Sequence, residues 1–270
     1  MTHPDLERAA GPAAPVLAAV TRMGFAAKGV ITILVGVLAL RYALRHGGGI
    51  TSQEGAVAYV LRHPLGRWML AVLAVGLASY ALWMYVAAYV DPERKGENLQ
   101  GIAERLGFFA TGVGYTLLAS TAFALLFGRR DEGGPDLQHL VATVLTPHVG
   151  RIVVGLAGLI VMTAGLLQLR LGLTRKFRHT LQAELSRLVR LLTGVSGTLG
   201  YLTLGLLSLT VGWSLVEVAV TYDPSKASGW PEALWRLSHA GEGRWLLGTA
   251  AAGLICYGFY FLLQVRYRRL

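Results

Sequence analysis

The stretch WMLAVLAVGLASYALWMYVAAYV, residues 68–90, holds no charged residue and no proline. At 1.5 Å rise per residue, a helix of that length crosses about 30 Å of hydrocarbon. Its apolar residues run on continuously instead of recurring at helical period, so in a soluble domain this helix would need burial on every side. Arg67 closes the run at one end and Asp91-Pro92 at the other. Working outward, five more runs of the same kind follow. They are Gly24–Leu44, Gly107–Phe127, Ile152–Leu171, Leu191 to about Val220, and Trp245–Val265. Of the 270 residues 54% are hydrophobic and 15% charged, against about 25% charged in an ordinary soluble domain. Transmembrane strands would show as alternating segments of about ten residues, and the runs do not alternate. The expected fold is all-α and polytopic, with six transmembrane helices.

Charged residues gather in the short segments between runs. Lys and Arg are more frequent on the side that carries both termini, through Arg94, Lys95, Arg105, the stretch Arg170–Arg190 and Arg266, Arg268 and Arg269. That bias places both termini in the cytoplasm and the chain in the cell (inner) membrane. Residues 1–21 carry Asp5 and Glu7, three prolines and no basic n-region, so the first run is expected to be retained rather than cleaved. The formal net charge of +10 does not point to nucleic acid, since no basic stripe with interleaved aromatics lies on a soluble module. The expected partners are the lipid bilayer and, beyond it, other membrane proteins or a second copy. Between the fourth and fifth runs, Leu181, Leu185, Leu188 and Leu192 recur at spacings of three and four within Arg175–Arg190 and beyond. This reads either as a basic amphipathic helix on the inner leaflet or as an extension of the fifth span. The single cysteine, Cys256, lies inside an apolar run, which excludes an intrachain disulfide and any Cys-based metal site.

The chain repeats itself. Arg22-Met-Gly-Phe-Ala-Ala-Lys-Gly-Val30 opens the first span and Arg105-Leu-Gly-Phe-Phe-Ala-Thr-Gly-Val113 the third. Thr193-Gly-Val-Ser-Gly-Thr-Leu-Gly-Tyr201 opens the fifth more loosely. Even-numbered spans begin with Gly66-Arg67-Trp68, Gly150-Arg151-Ile152 and Gly243-Arg244-Trp245, and the first and last of these continue to Tyr80 and Tyr257. Three tandem two-helix hairpins follow, over residues 22–100, 101–178 and 179–270. Each enters the membrane in the same sense, so a pseudo-threefold arrangement is expected.

On these residues the chain resembles the Domain of Unknown Function 1206 family of bacterial membrane proteins. Members of that family look like three copies of a helical pair. The first helix opens Gly-x-x-x-Lys-Gly-Val, and the second carries aromatic-Gly-Arg, then Gly-Leu, then Tyr-Ala-Leu-Trp. Gly24–Val30 and Gly66–Trp83 match this pattern, and Gly243–Tyr260 matches in part. Thr111 replaces the lysine in the second unit, and the third has lost it. The resemblance runs from about Arg22 to the C-terminus, weakest in the third and fourth spans. It implies the architecture and no activity.

Few residues carry chemistry. Lys28, in the first turns of its span, is an intramembrane ionisable group and hence a functional candidate, although a lysine close to a span end also snorkels to the interface. Arg41 reads as a snorkelling anchor. Glu217, near the end of the fifth span, suits a cation or a proton, or a salt bridge to a Gly-Arg arginine such as Arg244; the salt bridge is favoured. Arg67, Arg151 and Arg244 are candidate binding residues by virtue of their repeated place. Three histidines, His63, His148 and His239, each stand two to four residues before a Gly-Arg, and three convergent imidazoles would suit zinc or copper. Trp68, Trp230, Trp235 and Trp245 read as an interfacial belt. Gly29 and Gly36, Gly194, Gly197 and Gly200, and Gly248 with Ala252 read as helix-packing positions.

The prolines all fall outside the spans, no charge stands near a span centre, and no phosphate loop, nucleophile elbow or zincin motif is present. The first functional reading is therefore a non-enzymatic membrane scaffold or accessory protein. The second is a small transporter or channel using Lys28 and Glu217, and the third is an outer-face histidine metal site.

Overall fold

The computed structural model describes residues 14–44, 50–90, 99–128, 137–145, 150–175, 177, 186–239 and 243–267. Among them the regular structure is helical. The first repeat comprises α1 (Ala14–Ala43), α2 (Gln53–Leu61) and α3 (Gly66–Val90). The second comprises α4 (Leu99–Leu126), α5 (Leu137–Leu145) and α6 (Gly150–Thr174). The third comprises α7 (Arg187–Thr221), a 3₁₀ turn at Pro224–Lys226, α8 (Trp230–His239) and α9 (Gly243–Tyr267). Six of these helices, α1, α3, α4, α6, α7 and α9, are long and apolar enough to cross a membrane. The chain is a multi-pass membrane protein. Each hairpin also contains a short helix between its two spans, an element the apolar runs did not reveal.

The Gly-Arg signature has a steric origin in that short helix. A Cβ on Gly66 would strike the Val60 and Leu61 carbonyls at the end of α2, and one on Gly150 would strike Val144 at the end of α5. Glycine lets the long helix start directly against the end of the short one. Leu65, just before Gly66, holds a left-handed φ of 65° to make the same turn.

The long span α7 starts at Ser186, whose hydroxyl accepts from the Val189 amide at 3.4 Å. Leu188 and Leu192 therefore belong to the span helix itself, while residues 178–185 of the supposed amphipathic stretch lie outside the described residues. At its other end α7 stops on Tyr222, whose left-handed backbone (φ 57°) lets its N–H return to the Val218 carbonyl.

The contacts divide the chain into two compact units. The first takes residues 1–29, 57–131 and 261–270. In it α3 and α4 meet through aromatics. Gly112 makes room for the Tyr85 ring, whose hydroxyl lies 2.9 Å from Thr116 Oγ1. The Arg105 guanidinium donates to the carbonyls of Ala88 and Tyr89 at the end of α3, at 2.7 and 3.1 Å. The second unit takes residues 30–56 and 132–260. Its α6 and α7 run antiparallel with their backbones touching. A Cβ on Gly158 would sit 2.8 Å from the Gly212 carbonyl oxygen, and one on Gly165 would sit 2.9 Å from that of Gly205. One on Gly172 would sit 3.2 Å from that of Thr198. Gly158, Gly165 and Gly172 are seven apart, as are Thr198, Gly205 and Gly212. A seven-residue small-residue repeat keeps one seam facing its partner, and close backbone approach replaces the missing hydrophobic drive between helices in lipid. The glycines singled out from the sequence behave unevenly. Gly36 packs on the Ala251 carbonyl and Gly200 on Tyr257, but a side chain at Gly248 would meet open space.

Candidate functional site

Lys28 is the centre of the site. Its ammonium donates to the Tyr80 hydroxyl at 2.6 Å. It lies 4.5 Å from the centroid of the Tyr80 ring, 5.3 Å from that of Tyr115 and 4.3 Å from that of Phe261. Those rings are 3%, 8% and 4% exposed. Aromatic faces carry the negative side of a quadrupole and attract an ammonium, more strongly where water is excluded. Phe25 completes the cluster, stacked on Phe261 at 5.5 Å and edge-on to Tyr80 at 5.6 Å.

The Lys28 ammonium is engaged by side chains of neighbouring helices. Lys28 lies on α1, one turn after Gly24. The ammonium is directed to rings of α3, α4 and α9.

The third repeat makes the same joint without the lysine. In repeat 1, a Cβ on Gly24 would lie 2.6 Å from the Tyr80 Cα, and Gly76 is seated on Ala27. In repeat 3, a Cβ on Gly200 would lie 2.6 Å from the Tyr257 Cα, and Gly253 is seated on Thr203. Tyr201 meets Tyr257 edge-on as Phe25 meets Tyr80. These contacts set the register: Gly200 answers Gly24, so the repeat begins later than the Thr193–Tyr201 match implied. Leu204, 6% exposed, answers Lys28.

The three Gly-Arg arginines share one task. Arg67 of α3 donates to the carbonyl of Leu126, the last residue of α4, at 3.2 Å. Arg244 of α9 donates to the carbonyl of Ala43, the last residue of α1, at 3.3 Å. Arg151 of α6 donates to the hydroxyl of Tyr222, the cap of α7, at 3.3 Å and lies 5.0 Å over its ring. Each arginine thus serves the C-terminal end of a span in the next repeat, and the last serves the first. Arg67 and Arg244 satisfy carbonyls left open at a helix end, and all three guanidinium groups complement a helix dipole.

Glu217 is spent elsewhere. It pairs with Lys226 at 3.0 Å and not with Arg244. The cause is the turn after α7: Asp223 caps the 3₁₀ helix and folds the chain back, bringing Lys226 beside Glu217. The Ser225 hydroxyl and amide both donate to Asp223 Oδ1, at 2.6 and 3.0 Å. These bonds, with smaller help from Lys226, hold the Asp223 carboxyl below its ordinary value.

Among the described residues no group of three His, Cys, Asp or Glu side chains is arranged to hold a metal. His148 lies outside the described residues. His63 places Nδ1 3.1 Å from the Tyr59 carbonyl, and His239 places its Nδ1 3.0 Å from that of Trp235. Both rings are thus engaged by their own helical turns. Trp68, Trp235 and Trp245 are exposed at helix starts or on a short helix, in keeping with an interfacial position.

Sequence reasoning overlooked Tyr80, Tyr115, Phe25 and Phe261 as a group. The only available signal was the equivalence of Tyr80 with Tyr257.

The comparisons bear on family alone. The chain is 30% identical over 250 residues to the uncharacterized protein YxxB of Bacillus subtilis (strain 168), covering 92% of this chain and 90% of that protein. No solved structure matches the chain. The model of the Domain of Unknown Function (DUF1206) matches three times, over residues 23–91, 106–175 and 199–268. Each match holds one pair of spans with its short helix, so the chain belongs to the Domain of Unknown Function 1206 family, as a threefold repeat of its unit.

Proposed function

We propose that the protein moves charge or a small charged solute across the membrane, with Lys28 as the working group. The observation that supports this is the ammonium held among buried rings in a joint that repeat 3 packs with Leu204 instead. A lysine within a spanning helix costs up to about 2.5–3.5 kcal/mol on insertion scales, where leucine is favourable. If packing alone were required, leucine would do it at lower cost, so the lysine is accounted for by its charge. Both termini are assigned to the cytoplasm, on the Lys and Arg bias, and the membrane to the cell membrane.

The scaffold reading leans on unkinked Gly/Ala-rich helices and the lack of polar residues at mid-depth. What favours it still is the glycine seam of α6 and α7, where backbones in contact leave little room for a path.

The test is charge displacement by the reconstituted protein after a pH jump on a solid-supported membrane. Wild type is expected to give a transient that Lys28→Leu lacks, while the variant keeps its thermal unfolding temperature within a few degrees. Equal signals from the two proteins would return the scaffold to first place.

A further inference from the structure

The hairpin of α6 and α7 is flush at one end and stepped at the other. Gly158, Gly165 and Gly172 face Gly212, Gly205 and Thr198 in turn. In that register Gly150, where α6 starts, comes level with the end of α7 near Val220. Thr174, where α6 stops, comes level with Ser196, about nine residues or 13 Å after α7 begins. α7 has 35 residues, which make about 52 Å, against about 40–45 Å for a bilayer with its headgroups. The excess lies on the side of the termini, because α6 is the fourth span and ends there.

The step is basic and apolar at once. From Arg170 to Arg190 the chain carries Arg170, Arg175, Lys176, Arg178, Arg187 and Arg190 against one acid, Glu184. Among the described residues, Arg170, Arg175, Arg187 and Arg190 are exposed. Leu188, Leu191, Leu192 and Val195 recur at three and four along α7 as one exposed stripe, and Leu173 is exposed at the end of α6. Arg175 is held at the foot of the step. Its φ of 54° turns the chain out of α6, and two residues on Phe177 is buried against Gly197, Tyr201 and Tyr260. Arg170 and Arg175 complement the C-terminal end of α6, but Arg187 has no such account. It stands in the first turn of α7, which holds no acid, and a cation there opposes the helix dipole.

We infer that this step binds an anionic phospholipid of the leaflet on the side of the termini. The guanidinium groups hold the phosphate, for which their fork geometry is suited, and the exposed leucines receive the acyl chains. A zwitterionic lipid carries its own cation beside the phosphate and is attracted less. Each basic residue near an anionic lipid surface gives about a fivefold gain in binding. The inference is independent of the role of Lys28.

The experiment is native mass spectrometry of the detergent-purified full chain. It is titrated with palmitoyl-oleoyl-phosphatidylglycerol and, separately, with the phosphatidylcholine of the same acyl chains. Phosphatidylglycerol is expected to bind at least about tenfold more tightly. Arg170→Gln/Arg175→Gln/Arg187→Gln should bring the two lipids within about threefold of each other. Arg62→Gln/Arg129→Gln/Arg130→Gln removes the same charge from the opposite side of the spans and should keep the preference. Excess inorganic phosphate should leave the lipid in place. Equal binding of the two lipids overturns the inference, and so does a preference that survives the first triple variant. Equal loss in the second triple variant also overturns it, since net charge alone would then explain the binding. Displacement by phosphate would assign the arginines to a free anion, and a dimer abolished by the first variant would assign the face to a second copy. Either outcome discards the lipid. Should the first triple variant not fold, Arg187→Gln alone decides: a preference reduced about fivefold supports the inference and an unchanged one overturns it.

Discussion

Repeats 1 and 3 build one joint twice and finish it differently. Gly24 lies against Tyr80, and Phe25 meets the Tyr80 ring at 5.6 Å and 84°. Gly200 lies against Tyr257, and Tyr201 meets that ring at 5.4 Å and 74°. One helical turn on, the first joint presents an ammonium to three rings and the second presents buried Leu204. The shared part is what the fold needs: a glycine so that two helices approach, and an edge-on aromatic pair above it. The part that differs is free to do something else. Repeat 2 supplies the third case. Gly107, at the place of Gly24, has nothing within reach of an added Cβ. Ile160 and Ala164 stand where Gly76 and Tyr80 would be. A joint with its tyrosine missing leaves its glycine uncovered.

This comparison can be broken most sharply at the glycines. Gly24→Leu and Gly200→Leu each push a side chain into tyrosine backbone, which cannot move aside as a side-chain tip would. Each should destabilise by about 3 kcal/mol or more, read as thermal unfolding in detergent. Tolerance of either would show that its joint is not a close contact. Next comes the exchange of the distinguishing residues. Leu204→Lys should lose about 2–4 kcal/mol, while Lys28→Leu should stay within about 1 kcal/mol of wild type. If both swaps cost the same, the lysine is part of the packing and the two joints are not variants of one design.

Tyr80→Phe keeps the ring and removes the acceptor of a charge-assisted bond. A loss of about 1.5–3 kcal/mol is expected, and an unchanged melting curve would mean the ring faces alone hold the ammonium. Smaller still is Glu217→Gln. Glu217 and Lys226 are 35% and 37% exposed, so the pair is screened and should contribute less than about 1 kcal/mol. A larger loss in a melt of that variant would restore Glu217 as a functional carboxylate. The smallest effect belongs to Asp223, which is fully exposed. Its folded-state carboxyl is more acidic than in the unfolded chain, so it stabilises at pH above the unfolded value, and that contribution fades as the pH falls through the folded one. Melts of wild type and Asp223→Asn should therefore converge below about pH 4 and separate slightly above it.

Much of the architecture was legible because hydrophobic length is a local property. Residues 68–90 declare a membrane helix with no knowledge of their neighbours, and the Gly-Arg signatures declare a repeat by their spacing. The short helices α2, α5 and α8 escaped because nine or ten mixed residues beside an apolar run give no distinct signal of length. The glycine seam escaped because its residues recur at seven in two separate spans, and neither series is meaningful until the other lies against it.

The sequence by itself determined six spans, their threefold repetition, the family and a lysine in the first span. Only the tertiary structure decided what that lysine meets. The Lys28 site joins residues separated by 52 positions from Tyr80 and by far more from Phe261, and such a meeting depends on how each helix is rotated and which faces touch. The same holds for Glu217, whose partner was set by a turn, and for Gly200, whose register was set by Tyr257. Crossing a membrane requires only length and apolarity along one helix, whereas a site within it requires several helices to agree on one point.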